Sequence, residues 1–377
     1  MTSILLAATV LMSGNPAQDA DRPVQLIEGI KLRDEAGKDS GLILLLQPRL
    51  ETPKKAPKYP DWEFEWLTAG YVPRDKPSPG RHLRFQTFSQ VRRPKDDPAT
   101  RATQMLLRLW SYNDKKLGLD HSEAFNNKIV DVYLAYGGPA GGEQLFGEDS
   151  VFDPRSGRTS TLKVNTIYVY QITTFTNPVE MAREVAHEYG HAVLPPIGPF
   201  KKPEDWANGF LGEMLYMRWL RDDLAADKLK PDDAMGATVM GLTGYLQKNV
   251  DPLVLRVAEY GPDFVALKQD GPAAMNAYLG LALYAEQILP SKAFSRSLAL
   301  TASMKPLDYA TSVVEAAEEQ ANWTVRVPLE LRGKRIWIPV GEGKLESGKA
   351  LARRGDWVYI EAGKTPIKIR NARLDGS

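Results

Sequence analysis

The chain has 377 residues, 43% of them hydrophobic and 25% charged, which is the composition of a globular protein with a core large enough for about two to four units. Lysine plus arginine number 48 against 47 aspartate plus glutamate, and a formal net charge of +1 gives no long-range attraction to nucleic acid or to an anionic membrane. The absence of cysteine excludes disulfides, a lipid-anchored cysteine and thiolate metal ligands.

Residues 1–20 read as a signal peptide. The run ILLAATVLM at 4–12 has the length of a signal core and is too short to span a bilayer. Small and polar residues from Ser13 break it, and cleavage after Ala17 is expected. No later segment reaches membrane-spanning length, so the expectation is an exported protein, periplasmic or extracellular, with no membrane span.

Residues 23–95 read as an N-terminal β region. The run LILLL at 42–46 is apolar, and WEFEWL at 62–67 and LRFQTF at 83–88 alternate in the manner of half-buried strands. Proline- and lysine-rich connectors at 53–60 and 74–79 separate them. A catalytic domain is expected over 96–225. It opens with a helix at 97–117 that carries Ala102, Met105, Leu106 and Leu109 on one face, followed by a strand, KIVDVYLA, at 128–135. The glycine-rich stretch GGPAGGEQ at 137–144 lacks the arrangement of a phosphate-binding loop. It reads as a flexible turn, or as backbone that lies close to a bound peptide. A further strand, NTIYVYQIT, is expected at 165–173.

The next stretch, TNPVEMAREVAHEYGHAVL at 176–194, carries the chemistry. Asn177 suits a helix N-cap, Pro178 the first helical position and Glu180 the first turn, and Pro195-Pro196 ends the helix. His187 and His191, four apart, lie on one face, so both imidazoles reach one cation. Glu188 can meet a water on that cation. The neighbours Val185, Ala186, Ala192 and Val193 are apolar, so the pair should be buried, and buried imidazoles need partners that a metal supplies. Zinc is the expected ion.

The other histidines, His82 and His121, precede the motif and none follows His191, so a third ligand downstream must be an acid. Glu213 is flanked by Leu211, Met214, Leu215 and Met217, where an isolated carboxylate would be costly and a zinc ligand compensated. Glu213 is the expected ligand. Glu204 and Asp205 come next, although their place after Pro203 also suits capping of a helix.

HEYGH at 187–191 resembles the signature of zincin-type metallopeptidases. Leu194 and Ile197 stand where metzincins carry glycine and histidine, so the chain looks like the gluzincins, the aminopeptidase N and thermolysin-like group. In them a glutamate on the next helix completes the site. Trp206, Asn208, Gly209 and Phe210 are similar to the WLNEGFA segment of the aminopeptidases, and Tyr278 in YLGLALY at 278–284 to their oxyanion-stabilising tyrosine. Glu143 faintly resembles the glutamate that holds a substrate amine there.

The resemblance implies an α+β, zincin-like catalytic domain: a mixed sheet with the HExxH helix and a helical subdomain. That subdomain is expected at 226–320, with helices at 233–248, 262–268, 271–289 and 307–322. Strands at 325–331, 335–339, 357–361 and 366–369 form a small C-terminal β module within 321–377. The implied activity is zinc-dependent hydrolysis of a peptide or protein substrate. His187, His191 and Glu213 hold the metal, Glu188 is the general base and Tyr278 steadies the oxyanion. The alternative is a catalytically inactive zincin-fold surface or binding protein. It rests on two departures: no glutamate between Asn208 and Gly209, and Met217 in place of the acid four residues after the ligand.

Overall fold

The computed structural model describes residues 24–33, 39–48, 50, 52–71, 83–90, 98–119, 129–153, 158–301, 303–363 and 366–371. The expected signal segment, His82 and His121 lie outside them. The architecture mixes helix and sheet in the way an α+β fold does. The chain divides into two compact units, one of residues 1–111, 120–192 and 222–239, the other of 112–119, 193–221 and 240–377.

The first unit is built on a seven-stranded mixed sheet. Its strands are β1 (Val24–Arg33), β2 (Asp39–Pro48), β5 (Trp66–Tyr71), β6 (Leu83–Ser89), β7 (Ile129–Leu134), β8 (Gly142–Asp153) and β9 (Arg158–Val169). They run in the order β1-β2-β5-β6-β7-β9-β8. β6, β7 and β9 are mutually parallel, and β8 pairs antiparallel with β9 at the edge. The strands of 23–95 therefore share one sheet with those of the expected catalytic segment. A hairpin of β3 (Lys54–Lys55) and β4 (Glu63–Phe64) precedes β5.

β6 was expected to be half-buried, yet all seven of its residues are buried. The cause is cover on both faces, as parallel strands require. On one face α1 (Pro98–Lys116) lies so close that a Cβ on Gly70 would stand 2.9 Å from Thr103 Cγ2. Thr103 Oγ1 donates to Thr87 Oγ1 at 2.7 Å. α2 (Pro178–Val193) uses the same face, with Tyr189 edge-on to Phe85 at 5.8 Å. The other face carries Phe64, Leu67, Phe88, Tyr133, Ala135, Tyr168 and Tyr170 in one buried cluster with Ala56 of the hairpin.

The second unit contains α3 (Asn208–Ala225) as far as Arg221, then α4 (Val239–Asn249), α5 (Asp251–Tyr260), α6 (Pro272–Ile288), α7 (Ser291–Leu300) and α8 (Pro306–Glu318). α6 is its centre, an apolar helix with Leu279, Leu281, Ala282 and Leu283 all buried. α5 crosses it at Gly280, where a Cβ would meet the Leu253 carbonyl oxygen at 2.9 Å. α3 is tied to α6 by Arg218 Nη1 and Trp219 Nε1, which donate to Glu286 at 2.8 and 3.0 Å. Two three-stranded sheets follow: β10 (Asn322–Thr324), β15 (Lys368–Arg370) and β12 (Lys344–Leu345), then β11 (Arg335–Pro339), β14 (Trp357–Glu361) and β13 (Ala350–Arg354).

Several expected boundaries move. The helix expected from 233 begins only at Val239, because a 3-10 turn over Pro231–Ala234 ends with Met235 at φ 58° and Gly236 at φ 88°, outside helical geometry. The strand expected at 325–331 gives way after Thr324 to a 3-10 turn over Leu329–Leu331 behind Pro328. The strand expected at 165–173 ends at Val169 and begins much earlier, at Arg158.

Candidate metal centre

α2 is the element that presents the site, and its local sequence explains where it starts. Asn177 Oδ1 accepts the Val179 N–H at 2.9 Å, the capping bond expected of asparagine, and Pro178 occupies the first helical position. Ala182, Val185, Ala186 and Tyr189 are at most 1% exposed and form the apolar side of the helix. Glu184, His187, Glu188 and His191 recur at helical spacing on another stripe. Of these Glu184, His187 and Glu188 are buried and His191 is half-buried.

The two histidines converge as the spacing predicts. His187 Nε2 and His191 Nε2 stand 3.2 Å apart, with their ring centroids 4.9 Å apart and planes inclined at 73°. The two ring nitrogens so placed could share a metal ion. Glu204 is not a helix cap, since α3 begins only at Asn208, four residues later.

The end of α2 is held to the sheet. Asn165 Nδ2 on β9 donates to the Ala192 carbonyl at 3.2 Å, and Asn165 Oδ1 accepts from Gln144 Nε2 on β8 at 3.0 Å. The glycine-rich stretch is a turn only as far as Gly141; Gly142, Glu143 and Gln144 begin the edge strand β8. A Cβ on Gly142 would meet Glu188 Cγ at 2.6 Å, and one on Gly141 would meet Glu184 Oε1 at 3.3 Å. Here glycine does permit a close approach, toward the protein's own carboxylates.

Glu143 points to the other face of the sheet. Lys58 Nζ reaches both of its oxygens, at 2.6 and 2.5 Å, and the Tyr170 hydroxyl donates to it at 2.8 Å. Partial burial pushes its pKa up, but these bonds outweigh that and hold the carboxyl below its ordinary range. Its partners are thus within the protein.

Glu213 lies in α3, 3% exposed, and Oε1 accepts the Tyr245 hydroxyl at 2.5 Å. Nothing in the local pattern of α4 pairs Tyr245 with an acid, so the sequence gives no signal for this contact. Tyr278 is fully buried in α6, edge-on to Tyr309 at 5.1 Å. Burial, with Tyr309 beside it, holds its phenol well above the usual range.

Among the described residues no helix is long and apolar enough to cross a membrane. Compared with models of known families, with curated proteins and with solved structures, the chain finds no match.

Proposed function

We propose that the protein is a zinc-dependent peptidase, exported in the cell that makes it. The observation that carries this reading is the convergence of His187 and His191 at 3.2 Å with the buried carboxylate of Glu188 on the same stripe of α2. Two imidazole nitrogens at about 2.0–2.1 Å from one tetrahedral zinc stand roughly 3.3 Å apart, close to the separation found. Imidazole donors suit zinc, and in a chain without cysteine a further protein ligand after the motif is an acid, Glu213 or Glu204.

When bound, zinc polarises a carbonyl and brings the pKa of water toward neutrality. The residues of the chain do the rest. Glu188 accepts the proton of the attacking water as the peptide carbonyl becomes tetrahedral, and returns it to the departing amine. Its burial strengthens both transfers by limiting competing water. His187 and His191, fixed by a capped helix packed on the sheet, hold their nitrogens without rearrangement.

The purified protein is expected to carry about one zinc per chain, with cleavage of unfolded protein substrates abolished by chelation and restored by zinc. Zinc-free protein that still cleaves would overturn the reading.

A further inference from the structure

We infer that Gly142 is a positioning residue for Glu188, an inference that rests on the peptidase reading above. Alternation along β8 turns Gly142 and Gln144 toward the face used by α2, opposite Val169 and Ile167 of β9, while Glu143 turns away toward Lys58 and Tyr170. The bare Cα of Gly142 is what lets the strand rest on the arm of Glu188. A methyl there would stand 2.6 Å from Glu188 Cγ, 2.8 Å from Glu188 Oε1 and 2.8 Å from the Tyr168 carbonyl oxygen. Carbon atoms that are not bonded settle near 3.5–4.0 Å, so a side chain at 142 displaces the glutamate, the strand or both.

The closeness belongs to this end of β8. On the same strand, a Cβ on Gly147 meets nothing within 4 Å. Next to Gly142, Gly141 has φ +98°, a conformation that favours glycine, and its Cβ would meet Glu184 Oε1 at 3.3 Å. Two successive glycines thus lie against two carboxylates one helical turn apart on α2. Glutamate has three side-chain torsions, and the β8 backbone acts as a wall that restricts those of Glu188. The carboxylate is thereby held where a proton must be collected, and a displacement near 1 Å at such a group costs about 10²-fold in rate.

The test uses zinc-loaded, full-length protein and a quenched fluorescent peptide that the wild type cleaves. Gly142→Ala and Gly147→Ala are each made in the wild-type and Glu188→Gln backgrounds. We expect Gly142→Ala to lower kcat by about 10²-fold with KM changed by less than about twofold, and zinc content unchanged. Gly147→Ala should match the wild type. In the Glu188→Gln background Gly142→Ala should cost nothing further, since its effect passes through the missing carboxylate. The proposal is wrong if Gly142→Ala is as active as Gly147→Ala, or if it lowers the residual rate of Glu188→Gln by the same factor. Cleavage that does not depend on Glu188 in the wild type removes the peptidase reading itself, and this inference with it. Should Gly142→Ala fail to fold, the Gly142→Ala/Glu188→Ala double variant decides. Recovery of folding identifies the Glu188 side chain as the obstacle, whereas continued failure points to the Tyr168 carbonyl and overturns the proposal.

Discussion

The hydroxyl of Tyr245 donates to Glu213 at 2.5 Å in a buried setting, within the helical unit. A buried carboxylate that loses such a donor keeps its desolvation penalty without the bond that offsets it. Tyr245→Phe is therefore expected to destabilise the protein by about 2 kcal/mol, read as a lower urea midpoint with an unchanged slope. An unchanged midpoint would show that the bond carries no net stability.

Glu213 and Glu204 are two acids the sequence offers as third ligand, and the Tyr245 hydroxyl already engages one oxygen of Glu213. Glu204→Ala is expected to weaken zinc binding by at least about 10²-fold, measured by competition with a chromogenic chelator. Glu213→Ala is expected to lower stability, as Tyr245→Phe does, with zinc affinity reduced far less. The reverse ranking would assign the ligand role to Glu213.

Asp131 on β7 offers a pH signature. Its carboxyl is buried and its pKa is pushed well above the ordinary carboxylate range, first by desolvation and then by the neighbouring Asp149, with Lys54 opposing. Asp149 keeps its own donors: Lys54 Nζ, the Tyr133 hydroxyl and the Ser150 N–H, each at 2.6 Å. A raised pKa means that the folded state holds a proton which the unfolded chain releases above its ordinary value near 3.8. The contribution of Asp131 to stability is then complete below that value and is lost as pH rises toward the folded pKa. Asp131→Asn imitates the protonated form. It should stabilise the protein by roughly 1–3 kcal/mol at pH 7, with the gain shrinking toward zero near pH 4. A gain that does not vary with pH would contradict this.

Gly280 is expected to be intolerant for a reason of space. A methyl there meets the Leu253 carbonyl oxygen at 2.9 Å and Val257 Cγ2 at 3.3 Å, and backbone cannot rotate away as a side chain can. Although alanine favours helix, Gly280→Ala should lower stability by about 1–3 kcal/mol, measured by thermal and urea unfolding. A more stable variant would show that α5 shifts freely against α6.

How much of this was legible in the sequence depends on what held each element in place. α2 was readable because its cap, its first-turn proline and acid and its apolar side all lie within one stretch. The end at Val193 is one residue from the expected end at Leu194. β8 is not legible in the sequence because GEQLFGEDSVFD is poor in β-branched residues and alternates weakly. Its conformation comes from a twelve-residue ladder with β9 rather than from its own propensity. α5 and α7, ten residues each, are too short to give a clear helical period in the sequence. Within the site, the histidines and Glu188 were fixed by spacing along one helix. The approach of Gly142 to Glu188 and of Tyr245 to Glu213 depends on partners 46 and 32 residues apart in the chain, which no local pattern encodes.

Glu188 is proposed to work as a base beside a zinc held by His187 and His191. The most direct measurement compares wild type with Glu188→Gln, both purified with zinc, for metal content and peptide cleavage. Equal zinc of about one per chain, with cleavage reduced about 10²–10⁴-fold in the variant, is the predicted result. A Glu188→Gln protein that retains zinc and cleaves as fast as the wild type would show that Glu188 is not the base.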